Sequence, residues 1–253
     1  MNIQWIVASD IDGTLTGDRE ALNSLGHQIS LLRKKGELRL FLVTGRRLDQ
    51  VLEGFQTEGI PESDAIISQV GTEIFMPPYS RTMSPMPEWE TKLRSQFSRA
   101  QAVSFLEGIE GLEMQPDVFN TPLKVSAYLD KAPDPDKAAA KIQERVLAFG
   151  TGYQVIWSSG RDLDILPSDS GKGKAIWFLM EHLKLTQAQL VVAGDTGNDC
   201  SMFAEMRSGV VVCNATPELK QFVKSHPSLS IYQAREKYAA GVAEGLRHFG
   251  VIQ

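Results

Sequence analysis

Apolar positions recur along this chain in two alternating periods. Residues 3–9 (IQWIVAS) form a short apolar run that breaks into the polar cluster Asp10-Ile11-Asp12-Gly13-Thr14, the pattern of a buried strand ending in a loop. Over 19–35, Leu22, Leu25, Ile29 and Leu32 recur at helical spacing. Arg33, Lys34 and Lys35 suit the negative end of a helix, and Gly36 suits its cap. A second apolar strand is predicted over 38–43 (LRLFLV), ending at Thr44-Gly45-Arg46, then a helix over 48–55 and a third strand over 65–70 that stops at Gly71. Strand, helix, strand, helix, strand predicts a parallel sheet with helices packed on it.

The rhythm then breaks. Pro77, Pro78, Pro85 and Pro87 are too dense for a regular element and mark a linker. Helix is predicted over 88–107 and 134–149, with strands over 124–129, 153–157 and 162–166, the last two around the turn Ser158-Ser159-Gly160-Arg161. This grouping predicts a separate α+β domain over about residues 80–167. After Pro167 the first rhythm resumes, with a helix over 173–183, a strand over 190–193 ending in Gly194-Asp195-Thr196-Gly197-Asn198-Asp199, and a strand over 210–212. The chain leaves a parallel-sheet domain, builds a second one, and returns.

Composition narrows the function classes. With 253 residues, 42% hydrophobic and 23% charged, the chain can bury a sizeable core. A net charge of -5 offers no broad basic surface for nucleic acid, so an anionic ligand requires a local cationic cluster. Cys200 and Cys213 are the only cysteines, too few for a disulfide framework or a CxxC metal site. The N-terminus lacks the basic start of a signal peptide, and no run reaches the roughly 18 apolar residues of a membrane span. Cytoplasmic location is the resulting expectation.

Three strand ends carry unusual polar residues: Asp10 to Thr14, Thr44 to Arg46, and Gly194 to Asp199. In an open parallel sheet, ligands bind in the crevice beyond the carboxyl ends of the strands. Asp and Gly after a strand can also be plain turn residues. Three such clusters, each after an apolar strand, make that bland reading improbable. Crowding Asp10, Asp12, Asp195 and Asp199 into one crevice would be costly without a cation, since neighbouring carboxylates repel. Magnesium, a hard ion with oxygen ligands, fits this set. The four histidines are scattered and form no zinc pattern.

The order DIDGT, Thr-Gly-Arg, a lysine past the insertion, and GDTGND resembles the four motifs of the haloacid dehalogenase superfamily over the whole chain. The resemblance implies an α/β fold: a Rossmann-like parallel-sheet core over 1–79 and 168–253 with an inserted α+β cap domain over 80–167. It also implies magnesium-dependent phosphatase chemistry. Asp10 matches the nucleophile that forms an aspartyl-phosphate. Asp12 matches the general acid and base, its carbonyl also a metal ligand. Thr44 and Gly45 match the groups that bind phosphoryl oxygens, with Arg46 beside them. Lys172 matches the lysine that neutralises nucleophile and phosphate. Asp195 matches the direct magnesium ligand, with Asn198 and Asp199 in support. Lys174 reads as a solvated helix charge.

Only 33 residues separate Asp10 from Thr44, so the insertion falls between Thr44 and Lys172, where the resemblance implies a specificity cap. Val70 to Ile74, Lys124 to Asp130 and Ser158 to Pro167 resemble the sucrose-phosphatases and related phosphatases of disaccharide synthesis. This implies sucrose 6-phosphate as substrate, with Lys124 and Asp162 as cap contacts, although both could equally be exposed strand charges; Gln69, Asn120 and Tyr128 are weaker candidates. The expected partner is a small-molecule sugar phosphate. The chain is expected to act as a monomer, without nucleic acid or membrane, and association with the upstream sugar-phosphate synthase is the one protein contact considered. Mannosylfructose phosphate, glucosylglycerate phosphate and hexose phosphates are rival substrates. A phosphomutase needs cap arginines for a second phosphate and a dead binding module needs a broken site; neither fits as well.

Overall fold

A computed structural model describes residues 3–185 and 189–253. Seven strands form one sheet: β1 (Trp5–Ser9), β2 (Leu38–Val43), β3 (Ala65–Ser68), β4 (Glu73–Phe75), β9 (Leu190–Gly194), β10 (Ser208–Val211) and β11 (Ser230–Gln233). Their order is β11-β10-β9-β1-β2-β3-β4, all parallel except β4, which runs against β3. A four-stranded antiparallel sheet, in the order β5-β6-β8-β7, is built from β5 (Glu113–Met114), β6 (Val125–Tyr128), β7 (Tyr153–Ser158) and β8 (Asp162–Pro167). Both sheets agree with the fold class read from the sequence.

β1 sits between β2 and β9, with Ser9 level with Leu42 on one side and Ala193 on the other. From β1 the chain builds outward to β2 and β3, and after the insertion it returns on the opposite flank. The carboxyl end of β1 is therefore the switch point of the sheet, where a parallel α/β fold opens its crevice. The long apolar runs follow from burial on both faces. Val7, Leu40, Leu42 and Val191 face one helical layer, where α1 (Arg19–Lys35) contributes Leu22, Leu25 and Ile29 and α8 (Tyr238–His248) contributes Val242 and Leu246. Ile6, Ala8, Phe41 and Val192 face the other, packed by Ile176 and Leu179 of α6 (Lys172–His182) and Phe203 of α7 (Cys200–Met206).

α1 keeps the bounds its sequence predicts because both ends are capped. Asp18 accepts from the amides of Glu20 and Ala21, a cap worth about 1 kcal/mol, and Gly36 closes the far end in the left-handed conformation. Two expectations change. The helix expected over 88–107 is broken into α3 (Pro87–Arg94) and α4 (Arg99–Ser104), because the Ser98 side chain starts the second by accepting from the Gln101 amide. The third strand ends at Ser68: Gln69 and Val70 adopt φ of 50° and 59°, and their amides donate to the carbonyls of Arg46 and Thr44.

Trp89 and Leu93 of α3 pack into the parallel-sheet core. The second body of packing therefore begins beyond residue 80, with Ala102 of α4, and continues through Ile142 and Val146 of α5 (Pro135–Phe149). Its sheet alternates with period two. Val125, Ala127, Leu163 and Ile165 face α4 and α5, which leaves Ser126, Tyr128, Asp162 and Asp164 on the other face.

Candidate active site

The sheet register alone gathers the three polar loops. The Asp10 amide donates to the Ala193 carbonyl at 3.0 Å, tying Asp10 to the strand that precedes Asp195. Beyond it the Ile11 carbonyl accepts from the amides of Thr14, Leu15 and Thr16, winding the chain into a tight turn with Ile11 buried and Asp12 projecting outward. Thr14 Oγ1 reaches across to Asp195 Oδ1 at 2.9 Å. Gly13 makes this approach possible: its φ is +75°, and a Cβ there would lie 2.2 Å from Asp195 Oδ2. Asn214, beyond β10, supports the same turn by donating to the Gly13 carbonyl.

Lys172 opens α6 and is 1% exposed. Its Nζ lies 2.7 Å from Asp10 Oδ1 and 2.6 Å from Asp199 Oδ1. The other Asp199 oxygen accepts from the amides of Asp195 and Thr196, so this carboxylate braces the loop as well as the lysine. The start of α6 is fixed by Gly71, whose φ is +91° and whose Cβ would fall 2.3 Å from the Gly171 carbonyl carbon. Trp89 Nε1 locks the same loop by donating to the Gly71 carbonyl.

Burial sets the electrostatics. It raises the Asp10 pKa well above the usual carboxylate range; Lys172 opposes that rise, while Asp199 and Asp195 add to it. Burial, then repulsion from Asp199, pushes Asp195 up to about 7. Burial alone would lower the pKa of Lys172, but Asp10 and Asp199 outweigh it and keep the ammonium charged. Asp10, Asp195 and Asp199 each place a carboxylate oxygen within 4.8 Å of the others'. Three carboxylates against one ammonium leave negative charge uncompensated in a buried place. This oxygen-only donor set fits a hard divalent cation and lacks the nitrogen and sulfur of a zinc site.

A crevice of about 340 Å3 opens above this cluster. Asp10, Asp12, Gly45, Arg46 and Asn198 line it from the parallel sheet, and Lys124 and Asp162 line it from the antiparallel one. Thr44, Lys172, Asp195 and Asp199 are buried beside it. The Thr44 hydroxyl accepts from the Arg46 amide at 3.1 Å. Arg46 itself is engaged by two carboxylates, Asp12 and Glu58. Asn198 Oδ1 accepts from Thr196 Oγ1. Lys174 lies on the surface beside Asp169, as its sequence position suggests.

Lys124 is 3% exposed and lies 3.6 Å from Asp164, so it is no solvated strand charge. Burial raises the Asp162 pKa, partly opposed by Arg161, and Gln115 donates to this carboxylate at 3.1 Å. Tyr128 lines the crevice, whereas the Asn120 side chain is spent on the Ser126 amide and the Gln115 carbonyl. Trp157 packs against the small-sheet core. Sequence reasoning overlooked Gln50, Gln115, Phe119 and Asp164 on the lining. Asp164 was findable: Asp162-Leu163-Asp164-Ile165 alternates, which puts both acids on one face. Gln50 faces the crevice from α2 (Leu48–Thr57), and Gln115 and Phe119 depend on loop shape; none of the three carries a local signal.

Fold and carboxylate cluster together define the class, a haloacid dehalogenase-like hydrolase. The sucrose-6F-phosphate phosphohydrolase family matches residues 3–250, and the chain belongs to that family of phosphoric monoester hydrolases. It is 34% identical to the mannosylfructose-phosphate phosphatase of Agrobacterium fabrum over 97% of both chains. It is 31% identical to sucrose-phosphatase 1 of Nicotiana tabacum over 97% of this chain, which spans 59% of the tobacco protein. The crystal structure of the Synechocystis sp. PCC6803 sucrose-phosphatase with sucrose and phosphate superposes with a TM-score of 0.90 at 32% identity, covering 98% of this chain and 99% of that one. No described helix is long and apolar enough to cross a membrane.

Proposed function

We propose that this chain hydrolyses a phosphorylated disaccharide, sucrose 6-phosphate foremost, through a phosphoryl group held covalently on Asp10. One observation carries the reading: Asp10 is buried against Lys172 at the floor of a crevice whose far wall is the polar face of the small sheet. In this reading an Asp10 oxygen attacks phosphorus, and the bond from phosphorus to the sugar oxygen breaks. Asp12 gives its proton to the departing oxygen. Asp12 then takes a proton from water, whose oxygen attacks the same phosphorus and releases phosphate and free Asp10.

Lys172 would hold positive charge beside the oxygens that gather negative charge, and the Gly45 amide and the Thr44 hydroxyl would bind them. Magnesium, held by the Asp10 and Asp195 carboxylates and the Asp12 carbonyl with Asp199 and Asn198 in support, would neutralise the phosphoryl group. We read the segment from α4 to Pro167 as the cap, with Asp162 and Lys124 binding sugar hydroxyls and Asp164 bracing Lys124. Carboxylates and an ammonium match neutral hydroxyls as acceptors and donor.

The similarity to a mannosylfructose-phosphate phosphatase supports a second substrate of the same shape. A mutase lacks such support. Among the described residues, no arginine of 80–167 lines the crevice; Arg94 pairs with Glu90 and Arg145 with two backbone carbonyls. A panel of sucrose 6-phosphate, mannosylfructose phosphate and hexose phosphates, assayed with magnesium and compared by kcat/KM, tests the proposal. A disaccharide phosphate should lead. Preference for a monosaccharide phosphate would overturn the substrate, and inactivity on every ester would overturn the chemistry.

A further inference from the structure

Arg46 carries two carboxylates on one guanidinium. Its Nε and Nη2 donate to Asp12 Oδ2 and Oδ1 at 2.9 and 2.7 Å, and its Nη1 and Nη2 donate to Glu58 Oε1 and Oε2 at 2.6 and 2.9 Å. Both contacts are two-pronged, the arrangement that fixes orientation best. The guanidinium lies over α2 (Leu48–Thr57) above Gly54, where a Cβ would stand 3.1 Å from Nη1 and 3.2 Å from Glu58 Oε1. Asp12 and Arg46 line the crevice; Glu58, at the C-terminal cap of α2, does not.

We propose that Glu58 is a positioning residue for the reaction, acting through Arg46 to hold the Asp12 carboxyl where the leaving oxygen departs. This rests on the proposed role of Asp12 as proton donor. The Asp12 side chain is 59% exposed and Arg46 provides its only side-chain anchor among the described residues, so without that anchor it is free to turn into solvent. An anchor that was itself loose would not help. Glu58 grips the edge of the guanidinium that Asp12 leaves free, so one Asp12 oxygen can swing to the substrate while Arg46 stays in place and keeps the other. Ordinary exposed ion pairs do little. This one differs because the Arg46 side chain is only 15% exposed and joins a crevice acid to a helix end.

The leaving group provides the test. A sugar alkoxide needs a proton to depart, whereas a nitrophenolate does not, so a misplaced Asp12 should slow the first and spare the second. For Glu58→Ala we expect kcat/KM on a sugar phosphate to fall about tenfold, and on nitrophenyl phosphate less than about twofold, as fits a displaced but intact group. Glu58→Gln, which keeps the shape and one strong acceptor, should recover part of the loss. In an Asp12→Ala background, Glu58→Ala should leave the residual single-turnover rate on sugar phosphate within about twofold, because the residue it positions is gone. Equal losses on both esters, no loss on the sugar phosphate, or a loss that persists without Asp12 would overturn the role. Release of phosphate from neither ester by the wild type would instead overturn the proposed function, and this role with it.

Discussion

The Lys172 ammonium lies 2.7 Å from the Asp10 carboxylate, with the two side chains 0% and 6% exposed. An ion pair this deep exists only where each partner justifies the burial of the other. Asp199 on the far side of the ammonium makes the arrangement a triad. The same lysine therefore supports the fold of the site and its charge balance.

Replacing Lys172 by Met should separate these two roles. Removal of one member of a buried ionic group costs about 3–5 kcal/mol. Without the ammonium, the carboxylates depend more on a cation. Thermal unfolding in chelator should fall sharply, magnesium should restore part of the loss, and turnover should drop by orders of magnitude. An unchanged midpoint in chelator would contradict the triad.

Magnesium at the proposed site should bind in a pH-dependent way set by Asp195. Its carboxyl is pushed up to about 7 from an ordinary 3.8, so between these values the folded protein holds a proton that the unfolded chain has lost. Stability from this group is full below about pH 4 and is lost as the pH rises toward 7. A cation competes with that proton, so its stabilisation should grow in the opposite direction. The unfolding-temperature gain from magnesium should be small near pH 5 and larger near pH 8; a gain that is flat or larger in acid would contradict the assignment.

Gly13→Ala places a methyl group against Asp195 in a backbone region that favours glycine. The strain costs about 1 kcal/mol or more. The larger effect should be on activity, since the turn carries both Asp10 and Asp12. Wild-type turnover in a folded Gly13→Ala protein would show that the close approach is unnecessary.

Asp162→Ala removes a crevice carboxylate that Gln115 already orients. Hydrogen bonds to charged groups contribute about 1.5–3 kcal/mol, so kcat/KM on a disaccharide phosphate should fall about tenfold to hundredfold. Nitrophenyl phosphate, which has no sugar, should be hydrolysed as before. Parallel losses on both would place Asp162 outside sugar recognition.

The site was legible in the sequence wherever a strand delivers it directly. Asp10, Thr44 and Asp195 each follow an apolar run, and three adjacent parallel strands bring their loops together without any long-range guess. Lys172 was legible only through its motif, because its partners lie 162 and 27 residues away. The Glu58 contact was not legible at all. It depends on how α2 leans over the Arg46 loop, which is set by packing at Val51 and Gly54 rather than by local pattern. Where the second packing body begins was not legible for a similar reason. The proline-rich stretch resembles a boundary, yet Trp89 and Leu93 carry the chain back onto the parallel sheet before it leaves.

The central claim is that Asp10 attacks phosphorus. The direct measurement is acid-quenched mass spectrometry of the Asp12→Ala protein after brief exposure to nitrophenyl phosphate, where the covalent species should form and then persist for want of a base. A phosphoryl group on Asp10, absent from an Asp12→Ala protein that also carries Asp10→Asn, is the expected result. Phosphate release with no adduct, or an adduct on any other residue, would contradict the account.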